Sequence, residues 1–124
     1  MMKEVLLVDD SQTILMSMGD ILKKIGLSVK TATNGKEALR ILQSGMNPAA
    51  IITDYNMPQM NGIELIKEAR KMPNLRFTPM LMLTTESQSE TREAGKKAGA
   101  TAWLVKPVGV QDLTQVIKKV IPGV

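Results

Sequence analysis

A chain of 124 residues, 44% hydrophobic and 23% charged, is long enough to build one domain around its own core and has the composition of an ordinary globular protein. It contains no Cys and no His, which excludes a disulfide scaffold and leaves zinc without its usual ligands. No apolar stretch approaches membrane-spanning length, and the net charge of +4 is scattered as lysine pairs rather than gathered into a stripe, so neither membrane insertion nor nucleic-acid binding is expected.

Val5-Leu6-Leu7-Val8 reads as a short strand buried on both faces, as in a parallel sheet. It runs into Asp9-Asp10, which cannot continue into that core because burying an unpaired charge costs too much. The two acids therefore belong at the carboxyl end of the strand, where open α/β sheets place their ligands. Ile14, Leu15, Met18, Ile21, Leu22 and Ile25 hold helical spacing, and Gly26 is placed to end that helix. Leu27-Ser28-Val29-Lys30-Thr31 alternates apolar with polar and predicts an edge strand. Asn34 precedes a short helix carrying Ala38, Leu39, Ile41 and Leu42, with Glu37 placed to complete its cap. Ala49-Ala50-Ile51-Ile52-Thr53 is a second buried run and ends in Asp54. Pro58 and Gly62 make the stretch that follows an ordered turn around that carboxylate.

Ile63, Ile66 and Ala69 predict a third helix, ending near Met72-Pro73. Met80-Leu81-Met82-Leu83 then ends in Thr84. The fourth helix, Ser89 to Gly99, holds no large apolar residue and can pack only through Ala and Gly, so it is expected to be loosely held and movable, the alternative being a small-residue helix fitting tightly against the sheet. Ala102-Trp103-Leu104-Val105 ends in Lys106, and a last helix from about Val110 to Ile121 buries Leu113, Val116, Ile117 and Val120. Strands alternating with helices throughout predict an α/β fold with a parallel sheet.

Four apolar runs thus deliver three acids, a hydroxyl and an amine to one edge. Asp9 alone could be a helix cap with Asp10 solvated beside it, but Asp54 arriving from a different strand argues for a site. Two carboxylates about 4 Å apart repel by about 4 kcal/mol at an effective dielectric near 20. Lys106 supplies one compensating cation, and a divalent, oxygen-loving metal is the natural second. Mg²⁺ fits best, since it takes one or two carboxylates, keeps waters and shares its shell with phosphate oxygens.

Asp54-Tyr55-Asn56-Met57-Pro58-Gln59-Met60-Asn61-Gly62, together with Val8-Asp9-Asp10, Leu83-Thr84-Thr85 and Val105-Lys106-Pro107, resembles the receiver domain of bacterial two-component response regulators. Glu86-Ser87-Gln88 and Ala98-Gly99-Ala100-Thr101-Ala102-Trp103 are similar to its chemotaxis members, the single-domain CheY type. The resemblance spans Val5 to Ile121, so residues 1–124 are expected to form one receiver domain with no output domain. It implies a doubly wound, flavodoxin-like five-stranded sheet in the order 2-1-3-4-5. It makes Asp54 the phosphoacceptor from a histidine kinase, with Asp10 and Asp54 as direct Mg²⁺ ligands, the Asn56 carbonyl as a further one and Asp9 acting through water. Lys106 and Thr84 would each hold a phosphoryl oxygen, the Lys106-Pro107 bond would be cis, and Trp103 would turn inward as Thr84 moves. Trp103 stands where the family usually has Tyr or Phe, and Val108 where chemotaxis members commonly have Phe.

The resemblance further implies a cytoplasmic monomer that switches binding to a flagellar motor switch protein or another protein target, with a phosphatase possible. A stand-alone relay intermediate or phosphate sink is the alternative. A turnover enzyme is not expected: dehalogenase-type phosphatases also form an aspartyl phosphate but need a second acid two positions on, where this chain has Asn56.

Overall fold

The computed structural model describes residues 2–85 and 88–124; Glu86 and Ser87, and with them part of the chemotaxis-like Glu86-Ser87-Gln88 stretch, lie outside the described residues. The described residues form β1 (Glu4–Val8), α1 (Gln12–Ile25), β2 (Ser28–Ala32), α2 (Gly35–Gln43), β3 (Ala50–Asp54), α3 (Gly62–Arg70), β4 (Met80–Thr84), α4 (Ser89–Ala98), β5 (Ala102–Val105) and α5 (Val110–Val120). All neighbouring strands pair in parallel, in the order β2-β1-β3-β4-β5. This is the doubly wound, flavodoxin-like α/β fold that the alternation of patterns and the resemblance called for.

Two-residue periodicity sorts the core onto the two faces of the sheet. Val5, Leu7, Ala50, Ile52, Leu81 and Leu83 pack with Leu15, Met18 and Leu22 of α1 and Leu113 and Ile117 of α5. Leu6, Val8, Ile51, Met80 and Met82 face Ala38 and Leu42 of α2, Leu65, Ile66 and Ala69 of α3, and Ala98 of α4. The three central strands are buried apart from the first residue of β1, as helices on both faces require. β2 is an edge, as its sequence predicts, although its exposure does not strictly alternate. β5 is the other edge. Its apolar run looks in sequence like the central strands, yet its residues are half-buried and Val105 is exposed.

Helix ends follow the local chemistry. Gly26 adopts φ 106° and donates to the carbonyls of Leu22 and Lys23, closing α1. Asn34 caps α2 through Glu37 N–H at 2.8 Å, but the Glu37 carboxylate reaches past it to the Thr33 N–H and hydroxyl, a wider loop than a strict capping box. Asn61 and Glu64 make the full reciprocal box on α3. After α3 the chain adds a 3₁₀ turn, Pro73–Leu75, which tucks Leu75 fully into the core. No helix among the described residues is long and apolar enough to cross a membrane.

Candidate functional site

Parallel register carries the chemistry-bearing residues to one edge. Val8 lies opposite Thr53, Asp54 opposite Leu83, and Thr84 opposite Val105. The residues just beyond the strands extend the ladder: Asp9 N–H donates to Ala32 O at 3.1 Å, Tyr55 N–H to Leu83 O at 3.0 Å, and Lys106 N–H to Thr84 O at 2.7 Å. Carboxylate oxygens of Asp9, Asp10 and Asp54 consequently lie within 4.8 Å of one another.

The three acids are not equivalent. Asp9 and Asp54 are buried, at 2% and 5% exposure, whereas Asp10 is exposed. Lys106 Nζ donates to Asp9 Oδ2 at 2.9 Å and sits 3.1 Å from Asp54 Oδ1, so one amine bridges the two buried carboxylates. Asp9 Oδ1 accepts the Ser11 N–H at 2.9 Å. The N-cap of α1 is Ser11, whose hydroxyl oxygen accepts from Ile14 N–H. Asp9 is thus a partner of Lys106 and of the loop leading into α1, not the helix cap that its position in sequence allowed.

Burial raises the pKa of Asp54 above the ordinary 3.8, and the neighbouring Asp9 charge raises it further. Lys106 and a hydrogen bond from the Asn56 N–H pull the other way without reversing the shift. For Lys106, burial alone would lower the pKa, but the Asp9 hydrogen bond and the nearby Asp54 outweigh it and the amine is held above 10.5. The site therefore keeps its cation while crowding its anions. The donor set fits a hard divalent ion: every candidate ligand is oxygen, and the positive charge already present cannot neutralise three carboxylates.

The turn after Asp54 is built by close approach. Gly62 N–H donates to Tyr55 O at 3.0 Å, and a Cβ on Gly62 would stand 2.5 Å from the Asp54 carbonyl oxygen and 2.5 Å from Met82 Sδ. Gly62 is needed for space beneath the Asp54 backbone and not for a left-handed conformation. Gln59 takes the one non-glycine left-handed position among the described residues, at φ 70°. The Lys106-Pro107 bond is cis, as the resemblance implied.

Thr84 is fully buried. Two residues before it, Met82 lies opposite Trp103, so Thr84 and Trp103 share one face of the sheet. Trp103 is half-buried, its ring 6.2 Å from Tyr55 at 44°, and it borders a groove of about 390 Å³ lined also by Ser89, Arg92, Glu93 and Lys96. That groove lies beside α4 and includes none of Asp9, Asp10 and Asp54.

Every residue singled out from the sequence, namely Asp9, Asp10, Asp54, Asn56, Thr84 and Lys106, comes to this edge or its immediate loop, with Trp103 on β5 two positions before the residue opposite Thr84. Three residues escaped the sequence reading. Thr53 is buried and its hydroxyl donates to the Asp54 carbonyl at 3.0 Å; Tyr55 pairs with Trp103; Gly95 lies under the indole. Only the glycine left a signal, as an isolated Gly inside a helical pattern.

The family model for the response regulator receiver domain matches residues 5–118. The chemotaxis protein CheY1 of Helicobacter pylori (strain ATCC 700392 / 26695) is 34% identical over 119 residues, covering 95% of this chain and 96% of that protein. The two-component response regulator ORR11 of Oryza sativa subsp. indica is 35% identical over 118 residues, covering 95% of this chain and 80% of that one. The structure of chemotaxis response regulator CheY4 of Vibrio cholerae superposes with a TM-score of 0.91 at 42% identity, covering 97% of this chain and 99% of that one. The receiver domain of sensor histidine kinase PA1611 from Pseudomonas aeruginosa PAO1, solved with a magnesium ion coordinated in its active site cleft, superposes at 0.89 with 26% identity over 98% of both chains. With an acidic edge bridged by one lysine, a parallel sheet ordered 2-1-3-4-5 and this match along nearly its whole length, the chain belongs to the response regulator receiver domain family of two-component systems.

Proposed function

We propose that the protein is a phosphorylation-activated switch, in which Asp54 accepts a phosphoryl group from a phosphohistidine on a histidine kinase and the modified chain changes its grip on a protein target. The observation that carries this reading is Asp54 itself: a buried carboxylate at a strand end, 3.1 Å from the Lys106 amine and clustered with two further acids. Asp10, Asp54 and the Asn56 carbonyl would hold Mg²⁺ directly, with Asp9 acting through water. When bound, the ion would supply charge neutralisation for the transferring phosphoryl oxygens and for the acidic cluster.

A carboxylate is a weak nucleophile toward a group that is itself anionic, so most of the catalysis is positioning and charge neutralisation. The phosphorus–nitrogen bond of the donor breaks as a phosphorus–oxygen bond forms at Asp54. The imidazole keeps the electron pair and takes up a proton. Lys106, which bridges Asp9 and Asp54, turns its amine to a phosphoryl oxygen, and the Thr84 hydroxyl donates to another. Asn56 offers no general acid, so the chain modifies itself and is not a turnover enzyme. Trp103 and the α4 face read the change; similarity to the chemotaxis proteins CheY1 and CheY4 supports a chemotaxis role, and the proposal places the chain in the cytoplasm with a flagellar motor switch protein as its target.

Incubation with acetyl phosphate and Mg²⁺ is expected to add the mass of one phosphoryl group to the wild type, with no adduct on Asp54→Asn and none on the wild type in EDTA. An adduct that persists in the variant or without metal refutes the assignment. Onward transfer from the labelled chain to a histidine phosphotransfer protein, without phosphorylation-dependent binding to a motor protein, would favour the relay reading.

A further inference from the structure

We infer that Gly95 and Trp103 form a matched pair: the empty side-chain position at Gly95 is the seat of the indole, and the indole is the apolar anchor that α4 does not carry on its own sequence. The only buried residues of α4 are Gly95 and Ala98, so the helix offers the sheet nothing larger than a methyl group. Glycine is the poorest helix former after proline, and Gly95 lies mid-helix without the positive φ that would require it. Its place is explained by contact. A Cβ there would stand 2.6 Å from Trp103 Cζ3, closer than carbon atoms approach, and a tight 3.1 Å from Cε3, with Cη2 at an ordinary contact distance of 3.8 Å. The indole is a rigid double ring with Tyr55 6.2 Å away, so its edge cannot yield unless the whole side chain turns.

This contact is close, which favours the tightly fitting of the two packings that the small-residue sequence of α4 left open. The far end of the helix is fixed separately. Arg70 of α3 donates to the Gly99 carbonyl from Nε at 3.2 Å and Nη2 at 2.7 Å, and also to the carbonyls of Leu75 and Arg76. With its carboxyl end pinned by Arg70 and its middle seated on the indole, α4 cannot keep its place when Trp103 turns. Gly95 is therefore a positioning residue for Trp103, and it accommodates a ring larger than Tyr or Phe. The consequence for signalling rests on the proposed phosphorylation switch; the steric pairing does not.

The test is a double-mutant cycle on the full chain with Gly95→Ala, Trp103→Phe and both together, read by urea midpoint without metal and, where Trp103 is retained, by its emission as the single Trp. Phe stops short of the Cζ3 and Cη2 positions. Gly95→Ala alone is expected to lower the midpoint and shift emission to the red as the indole is displaced toward water. In the Trp103→Phe background the same substitution is expected to raise the midpoint, as Ala for Gly does in an unobstructed helix. A rise in both backgrounds with unchanged emission overturns the pairing, and so does a fall in both, which would place the obstruction elsewhere. Beryllofluoride with Mg²⁺ separates the two ideas: a wild type whose emission does not respond counts against the switch, while the sign reversal of the cycle still decides the pairing.

Discussion

Lys106→Met is expected to lower unfolding free energy by about 2 kcal/mol in EDTA at pH 7, and to slow phosphoryl transfer from acetyl phosphate by about a hundredfold. The amine is the single cation bridging Asp9 at 2.9 Å and Asp54 at 3.1 Å. Removing one partner of a fully buried pair typically costs about 3–5 kcal/mol, because a charge is left uncompensated. Here 19% of the Lys106 side chain remains exposed, so water screens part of the loss and the smaller figure applies. Lys106 is held above its usual 10.5, so its stabilisation is complete below that value and disappears only as pH climbs through the raised folded one. Near neutral pH the whole effect is visible. Mg²⁺ should recover much of the lost stability while leaving transfer slow, since the ion replaces the charge and not the amine's hydrogen bond. Urea melts with and without Mg²⁺ check this, and a variant as stable as wild type in EDTA would show that the bridge contributes nothing.

Asp54→Asn is expected to raise metal-free stability by about 1–2 kcal/mol at pH 7, so that removing the proposed acceptor strengthens the fold. The buried like charges of Asp9 and Asp54, no more than 4.8 Å apart, repel by at least about 3.5 kcal/mol at an effective dielectric near 20, and Lys106 offsets only part of that. The sign with pH follows from burial and Asp9 raising the Asp54 pKa above 3.8. Above 3.8 the unfolded chain releases the proton while the folded chain still holds it. Asp54 therefore costs stability progressively as pH rises from 3.8 through the folded value, and a constant amount beyond it. The advantage of Asp54→Asn should accordingly grow as pH rises through the folded value and shrink as pH falls toward 3.8. Asp10→Asn should change metal-free stability much less, because Asp10 is exposed and water screens it, yet lose Mg²⁺ affinity. Melts at several pH values in EDTA, with calorimetric Mg²⁺ titrations, decide both. An advantage for Asp54→Asn that grows on acidification would mean Asp54 is stabilised by its surroundings, contrary to the charge crowding described.

Much of the architecture is legible in the sequence because each signal is local. Val5–Val8, Ala50–Thr53 and Met80–Leu83 are apolar throughout, which only a strand covered on both faces tolerates, and an acid or hydroxyl at the end of each must lie at the edge. Gly26 and Asn34 announce helix ends by backbone and capping chemistry that needs no distant partner. β5 shows where such reasoning stops. Its Ala-Trp-Leu-Val is as apolar as a central strand, and only the order of the sheet makes it an edge with Val105 exposed. The 3₁₀ turn at Pro73–Leu75 was likewise hidden, since Leu75 is buried by α3 and its surroundings and not by any period of its own segment.

The sequence by itself therefore determined the strands, the helix boundaries and the identity of the chemical groups at one edge, because strand period, capping and the cost of burying charge act over a few residues. Tertiary structure alone decided how those groups divide their roles. Which acid is buried and which exposed, that Lys106 spans Asp9 and Asp54 across 97 and 52 positions of chain, and that Gly62 makes room for the Asp54 backbone all depend on strand order and register. The same holds for Gly95 and Trp103, eight positions apart on a helix and the following strand. In sequence one looks like a weak point in a helix and the other like an exchangeable aromatic. They explain each other only once α4 lies against β5, because steric fit is a property of distances that no local pattern encodes.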